Sequence, residues 1–244
     1  MKYFSVLLAL VLVTLALAAC AEPLALDGTL AGVVCWPEGS APEEASYVFR
    51  YSYPLLAGNN DAAVMINDHF DYEISNALAF TVPIDIDTSA SSREVTGTVT
   101  CNDDRYFSVK IVTVFREADV ATTTVTAATF SRTGSRAGIA TSLPRLLGLL
   151  KDDETDEWLK DRQTNKANKL VWDLVWKQIR ESGCPLRADL TQEDYQFLFY
   201  PEEDFYLDEN GDPVFFVHAA YLAAEETDDV WLFPLSLSFL LDEL

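Results

Sequence analysis

Two histidines, His69 and His218, are the only imidazoles in this 244-residue chain. Histidine does most general-base work and activates most serine and cysteine nucleophiles, so two residues bound what that chemistry can use here. His69 stands beside Phe70 in a stretch of helical apolar spacing, and His218 ends an apolar run; both read as structural. In Gly134-Ser135-Arg136-Ala137-Gly138 the serine falls one place too early for a nucleophile elbow. No HExxH pair and no phosphate-binding glycine loop occurs. Carboxylate chemistry is left. Glu202, Glu203 and Asp204 lie between Phe199-Tyr200 and Phe205-Tyr206, a composition that suits sugar stacking with paired acids, as in glycoside hydrolysis. Adjacent acids in a turn are solvated, however, and solvation gives no reason for a raised pKa. The sequence therefore favours no enzyme and no catalytic residue, with a carbohydrate- or peptidoglycan-active enzyme as the alternative.

Metal and cofactor chemistry finds little support. If Gly211 of Asp208-Glu209-Asn210-Gly211-Asp212 is placed at the sixth position of a calcium loop, Tyr206 and Val217 occupy the first and twelfth positions. Both should be carboxylates, so the segment reads as a hairpin turn. The runs Asp152-Asp153-Glu154 and Glu225-Glu226-Thr227-Asp228-Asp229 read as solvated charge. No metal and no cofactor is expected.

The four cysteines are Cys20, Cys35, Cys101 and Cys184. Met1-Lys2-Tyr3 opens the chain, and an apolar run from Phe4 to Ala19 follows, broken only by Ser5 and Thr14. That run is shorter than the ~20 residues a membrane span needs, and it has the three parts of a secretory signal. Its end, Leu17-Ala18-Ala19-Cys20, resembles the lipobox of bacterial lipoproteins. The resemblance implies a signal peptide over residues 1–19, lipid on Cys20, and a membrane-anchored protein on the extracytoplasmic side of a bacterial membrane. Each buried CH₂ of an acyl chain contributes about 0.8 kcal/mol to such an anchor. Three cysteines then leave one over. Cys35 and Cys101 lie in or beside predicted strands and are expected to pair, whereas Cys184 sits in a loop before Pro185. A bridge between them closes some 66 residues and contributes about 4 kcal/mol in the chain-entropy account.

Charge is distributed unevenly. The formal net charge is −22 with 39 acids against 17 bases, and from Ala188 to Leu244 fifteen acids stand without one Lys or Arg. Nucleic acid and anionic headgroups are poor partners for such a segment, and a cationic protein is a suitable one. Hydrophobic content of 49% and aromatic content of 12% exclude a disordered chain.

These residues need elements to hold them. Residues 20–45 read as a tether ending in Pro37-Glu38-Gly39-Ser40-Ala41-Pro42, with a short strand about Gly32–Trp36. Alternation predicts a strand over 47–53, and helical spacing of Ala62, Met65, Ile66, Phe70, Ile74 and Leu78 predicts a helix over 61–78, opened by Asn59-Asn60-Asp61. Strands follow at 95–101, 106–115 and 120–130, then a short helix near 144–150 and a long one over 154–181 closed by Ser182-Gly183. Strands at 197–200, 205–207 and 214–218 and a closing apolar segment over 231–241 complete the order. No internal repeat is visible. The expectation is an α+β fold in two subdomains, 46–140 and 141–244, each a helix packed on a mainly antiparallel sheet.

The chain from about residue 46 resembles the two-part extracytoplasmic region of lysozyme-sensing anti-sigma factors, also found before the catalytic domain of some peptidoglycan deacetylases. The resemblance rests on Tyr53-Pro54-Leu55 before a helix, on Thr129-Phe130-Ser131-Arg132-Thr133-Gly134 leading to the long helix, and on Phe205-Tyr206-Leu207-Asp208 with Val214-Phe215-Phe216-Val217. After the last of these, His218-Ala219-Ala220-Tyr221 keeps only the tyrosine of the family's Asn-Pro-Tyr-like step. With three residues ahead of the apolar run, no cytoplasmic sigma-binding segment is expected, and no deacetylase domain. What the resemblance implies is a sensor-like binding domain for a cationic protein such as lysozyme. Tyr195, Phe199, Tyr200, Phe205 and Tyr221 are the aromatic residues expected to anchor that partner.

Overall fold

The computed structural model describes residues 22–80 and 91–244. The signal segment and Cys20 lie outside the described residues. Five strands, β1 (Leu26–Trp36), β2 (Tyr47–Leu56), β3 (Ser91–Asn102), β4 (Tyr106–Glu117) and β5 (Val120–Ser131), form one sheet in chain order. All neighbours pair antiparallel except β2 and β3, which run parallel and are joined through helix α1 (Asp61–Phe80). A parallel pair needs a crossover of this kind, because a hairpin cannot return the chain in the same direction. A second sheet holds β6 (Phe205–Leu207), β7 (Pro213–His218) and β8 (Val230–Pro234), all antiparallel. The remaining helices are α2 (Leu143–Leu146), α3 (Glu157–Ser182), α4 (Gln192–Gln196) and α5 (Leu237–Asp242). The fold is α+β with helices packed on mainly antiparallel sheets, as the element order predicts.

Side-chain alternation stacks these layers. Phe107, Val109 and Ile111 of β4 point to one face of the large sheet, where they meet Ala63, Ile66, Phe70 and Ile74 of α1. Val112 and Val125 point to the other face, where Tyr206, Val214 and Phe216 of the small sheet cover them. The opposite parity of the small sheet, Phe205, Leu207, Phe215 and Val217, packs on Ala167, Val171, Val175 and Ile179 of α3. Each of those valines and isoleucines contributes roughly 1.5–3 kcal/mol by burial. The small sheet is thus apolar on both faces, and its phenylalanines and Tyr206 are core.

The ends of the helices follow local chemistry. The Asn60 side chain accepts from Ala63 N–H at 2.8 Å and opens α1. Asp156 accepts from Trp158 and Leu159 N–H to open α3, and Gly183 closes it at φ 72°. Asp208 accepts from Asn210 and Asp212 N–H at 2.8 and 3.0 Å, and this builds the β6–β7 hairpin.

Three expectations are corrected. Residues 26–36 are a full strand paired with β2 from Leu26↔Leu56 to Trp36↔Tyr47, so 11 residues of the expected tether are sheet. The segment 197–200 is no strand: Thr191 and Asp194 form a reciprocal capping box that opens α4, and the chain turns afterwards. The Cys35–Cys101 bridge is absent, and both residues and Cys184 are free thiols. Cys35 pairs with Val48, and Val48 with Ser92, so Cys101 lies nine positions farther along β3. At about 3.3 Å per residue that is roughly 30 Å, far beyond the ~7 Å between Cα atoms that a disulfide tolerates.

Candidate functional site

A cleft lined by acids, arginines and a histidine lies along the outer edge of β5. Its volume is about 500 Å³. One wall is α1, which contributes His69 and Glu73; the floor is Ile111 and residues 126–129; the third side is Arg136, Ala140, Ser142 and Arg145. The C-terminal half closes it with Glu202, Glu203 and Phe205. Gly138 (φ 79°) lets the loop beyond β5 approach α1, since a Cβ there would fall 2.6 Å from the Met65 Cβ.

His69 stands edge-on to Phe130, ring centroids 5.0 Å apart, and burial holds its pKa below the ordinary value while Glu73 pushes it back up. Ser135 is exposed and does not line the cleft with His69. His218 is outside the cleft; its Nε2–H donates to the Val125 carbonyl at 3.0 Å, a sheet-edge role.

Of the three neighbouring acids, two reach the cleft. Glu202 accepts from the Asn168 side-chain amide at 2.5 Å, and Asn168 is 3% exposed. Glu203 opens to solvent. Asp204 turns away to accept from Tyr200 N–H at 2.7 Å and closes the turn. Its burial pushes the carboxyl up to about 6, opposed by the Tyr200 bond and reinforced by Glu202 and Glu203. Sequence reasoning expects solvated acids here; the structure makes one of them a half-buried turn cap.

Arg136 and Arg145, which sequence reasoning passed over, bring positive charge to the opposite side. Burial lowers the Arg136 pKa, the charge of Arg145 lowers it further, and Asp152 raises it. No local signal could have found this pair, because the wall they face comes from sixty residues downstream.

The expected aromatic anchors divide. Tyr195, Phe199 and Phe205 are buried and stack with one another through Phe215, at centroid distances of 5.7, 6.3 and 6.0 Å. They cannot meet a partner at the surface, and this corrects their assignment. Tyr200 (53% exposed) and Tyr221 (66%) are at the surface. The Tyr200 hydroxyl donates to the Phe197 carbonyl at 3.0 Å.

Eleven of the fifteen acids beyond Ala188 are exposed: Asp189, Glu193, Asp194, Glu203, Glu209, Glu225, Glu226, Asp228, Asp229, Asp242 and Glu243. Among the described residues only Asp189 has a base within 4 Å, Arg187 at 3.9 Å. Six of the bases sit on α3 instead. Among the described residues no group of three His, Cys, Asp or Glu converges on a metal site, and no helix is long and apolar enough to cross a membrane.

Fold and site define a class, an α+β domain of two stacked sheets with a charged cleft at the edge of the larger one. No protein-family model and no curated protein matches the sequence. Among solved structures the chain is similar to a DUF3298 family protein from Pseudomonas aeruginosa PAO1, with 13% identity and a TM-score of 0.45, over 90% of this chain and 93% of that one. It is also similar to a member of the same family from Bacteroides fragilis NCTC 9343, with 11% identity and a TM-score of 0.46, over 90% and 94%.

Proposed function

We propose that this chain is a lipid-anchored, extracytoplasmic binding domain without catalytic activity, and that it receives a cationic protein, lysozyme-like in its charge, on its acidic C-terminal surface. One observation carries the reading: the eleven exposed acids beyond Ala188, of which only Asp189 lies near a base. Unpaired charge of one sign raises the encounter rate of an oppositely charged protein by ~10- to 1,000-fold. Tyr200 and Tyr221, among the aromatic side chains exposed on this half, can add contact area of the kind that fixes a partner. The anchor rests on Leu17-Ala18-Ala19-Cys20. Its check is fractionation and mass spectrometry of the protein and of Cys20→Ser, with lipid and membrane partition expected only for the former.

Calorimetry with lysozyme at about 0.05 M and about 0.5 M salt tests the partner. The Debye length falls from roughly 14 Å to about 4 Å over that range. Binding that weakens but survives the higher salt, and that fails with Tyr221→Ala, is the expected result. Attraction to every basic protein alike, erased by salt, would sink the proposal.

A second reading draws on Glu202 and Glu203, whose side chains line the cleft. A carbohydrate-active enzyme would use them on peptidoglycan fragments. Turnover of such fragments by the purified domain, abolished by Glu202→Gln, would favour it over pure binding.

A further inference from the structure

Strand β5 is an outer edge of the five-stranded sheet, and several of its outward peptide groups are covered. Thr123 N–H donates to the Asp228 carboxylate at 3.1 Å, and the Val125 carbonyl accepts from His218. Farther along, the Thr129 carbonyl accepts from Thr141 N–H at 2.7 Å, and Ser131 N–H donates to the Ile139 carbonyl at 3.1 Å. In an antiparallel ladder alternate residues turn both peptide groups to the same side. The β4–β5 register runs without a bulge from Tyr106↔Ser131 to Glu117↔Val120. Ala127 therefore turns its N–H and C=O outward too, and Ala127 lines the cleft. The covering segment leaves β5 after Thr141 because Ser142 starts α2, whose Leu143 N–H donates to the Glu202 carbonyl at 3.3 Å. One position of bare strand edge opens into the cleft.

The paired arginines are a second, independent observation. Arg136 Nη2 donates to the Ala140 carbonyl at 2.9 Å, and Arg145 Nη1 donates to the Lys151 carbonyl. Among the described residues neither guanidinium has a carboxylate within 4 Å, although the chain holds 39 acids. The Arg136 Nε is buried without a partner. Two neighbouring guanidiniums of like charge, each held in place by a backbone carbonyl, present fork-shaped donors that match a carboxylate.

We propose that the cleft binds a short peptide with a free C-terminal carboxylate, its last residues extended along β5 and paired with the Ala127 N–H and C=O, its carboxylate between Arg136 and Arg145. Strand addition supplies main-chain hydrogen bonds whatever the side chains, and capture of the terminal carboxylate fixes the register. Glu202 and Glu203 on the far wall accept from the peptide's N–H groups or amino terminus. The volume of about 500 Å³ lies within the range of small-ligand sites. This site shares Glu203 with the acidic surface and is otherwise built from different residues, and its test does not depend on a protein partner.

The test is calorimetry with the tripeptide Ala-Ala-Ala, with its C-terminal amide, and with inorganic phosphate. The tripeptide is expected to bind, and amidation to weaken it at least tenfold. Arg136→Gln and Arg145→Gln are each expected to weaken the acid at least tenfold while leaving the amide unchanged. Ala127→Pro removes one outward N–H on an edge strand, where proline is tolerated, and is expected to weaken both peptides severalfold. Circular dichroism and melting establish that each variant folds; should one not fold, the acid–amide comparison on the unaltered protein still decides. Equal binding of acid and amide, no binding of the acid, or phosphate binding as tight as the tripeptide would each overturn the proposal.

Discussion

The side-chain amide of Asn168, in the middle of α3, donates to the carboxylate of Glu202, thirty-four residues away, at 2.5 Å. Asn168 is among the few buried polar residues, and its bond fixes one wall of the cleft to the helix that carries the C-terminal core. A buried hydrogen bond to a charged group contributes about 1.5–3 kcal/mol. Asn168→Ala is expected to lower unfolding free energy by about 2 kcal/mol in urea titration. Asn168→Asp is expected to cost more, because it sets a second carboxylate against Glu202. An Asn168→Asp variant as stable as the parent at pH 7 would show that the contact does not hold.

Ser108 joins the two sheets. Its hydroxyl shares a 2.8 Å hydrogen bond with the Thr129 hydroxyl and accepts from the Leu207 N–H at 3.0 Å, all within the interior. Ser108→Ala leaves a buried N–H and a buried hydroxyl without a partner, and each such loss costs about 1–3 kcal/mol. A drop of roughly 2–4 kcal/mol in unfolding free energy is expected, with Thr129→Val costing less because Leu207 keeps its acceptor. Hydrogen exchange of the Leu207 amide should quicken in Ser108→Ala and not in Thr129→Val.

The elements that rest on local chemistry were legible in the sequence. Helical spacing and Asn60 mark α1, Asp156 and Gly183 mark α3, and Asp208-Glu209-Asn210-Gly211 marks the β6–β7 turn. Strand β1 was legible only over Gly32–Trp36, because its burial pattern is mostly exposed and gives little alternation to read. Its Gly32 is explained only by a neighbour, since a Cβ there would lie 2.4 Å from the Tyr51 hydroxyl. The capping box Thr191–Asp194 was a readable signal that the apolar run at 197–200 outweighed. Tyr195, Phe199 and Phe205 pointed to a surface as well as to a core, and only the position of the small sheet between α3 and the large sheet decides for the core. The cleft itself brings together residues as far apart in the chain as His69 and Glu202, which no single window of sequence spans.

Asp204 gives stability a pH dependence of defined sign. Burial raises its folded pKa to about 6, above the ~3.9 of an unfolded chain. A carboxyl raised on folding adds stability in full below its unfolded value, and that stability is lost as pH rises through about 6. Between pH 4 and pH 7 the group is expected to withdraw about 2–3 kcal/mol, at 1.36 kcal/mol per unit. An asparagine at this position keeps an acceptor for the Tyr200 N–H and cannot ionise. Asp204→Asn should therefore be more stable than the parent at pH 7 and no more stable at pH 4. Parallel pH–stability curves for the two proteins would refute this account of the turn.

The three thiols of the folded part should react in an order set by burial and not by a bridge. Cys101 is 2% exposed on β3; burial and the neighbouring Asp103 and Asp208 carboxylates push its pKa up to about 11, against an opposing bond from the Asp103 backbone. Thiolate is the reactive form, so both access and ionisation protect this residue. Cys35, on edge strand β1, and Cys184, beyond the end of α3, are half-exposed, and Cys184 also accepts from the Ser182 hydroxyl at 2.9 Å. Labelling the native protein with a maleimide at pH 8, followed by peptide mapping, should modify Cys35 and Cys184 within minutes. Cys101 should wait for denaturant, and its labelling rate should follow the unfolding equilibrium. The register that sets Cys35 roughly 30 Å from Cys101 also predicts that reductant changes neither the melting temperature nor the map. A melting temperature that falls on reduction, or a Cys35–Cys101 peptide under non-reducing conditions, would contradict the register of β1 on β2.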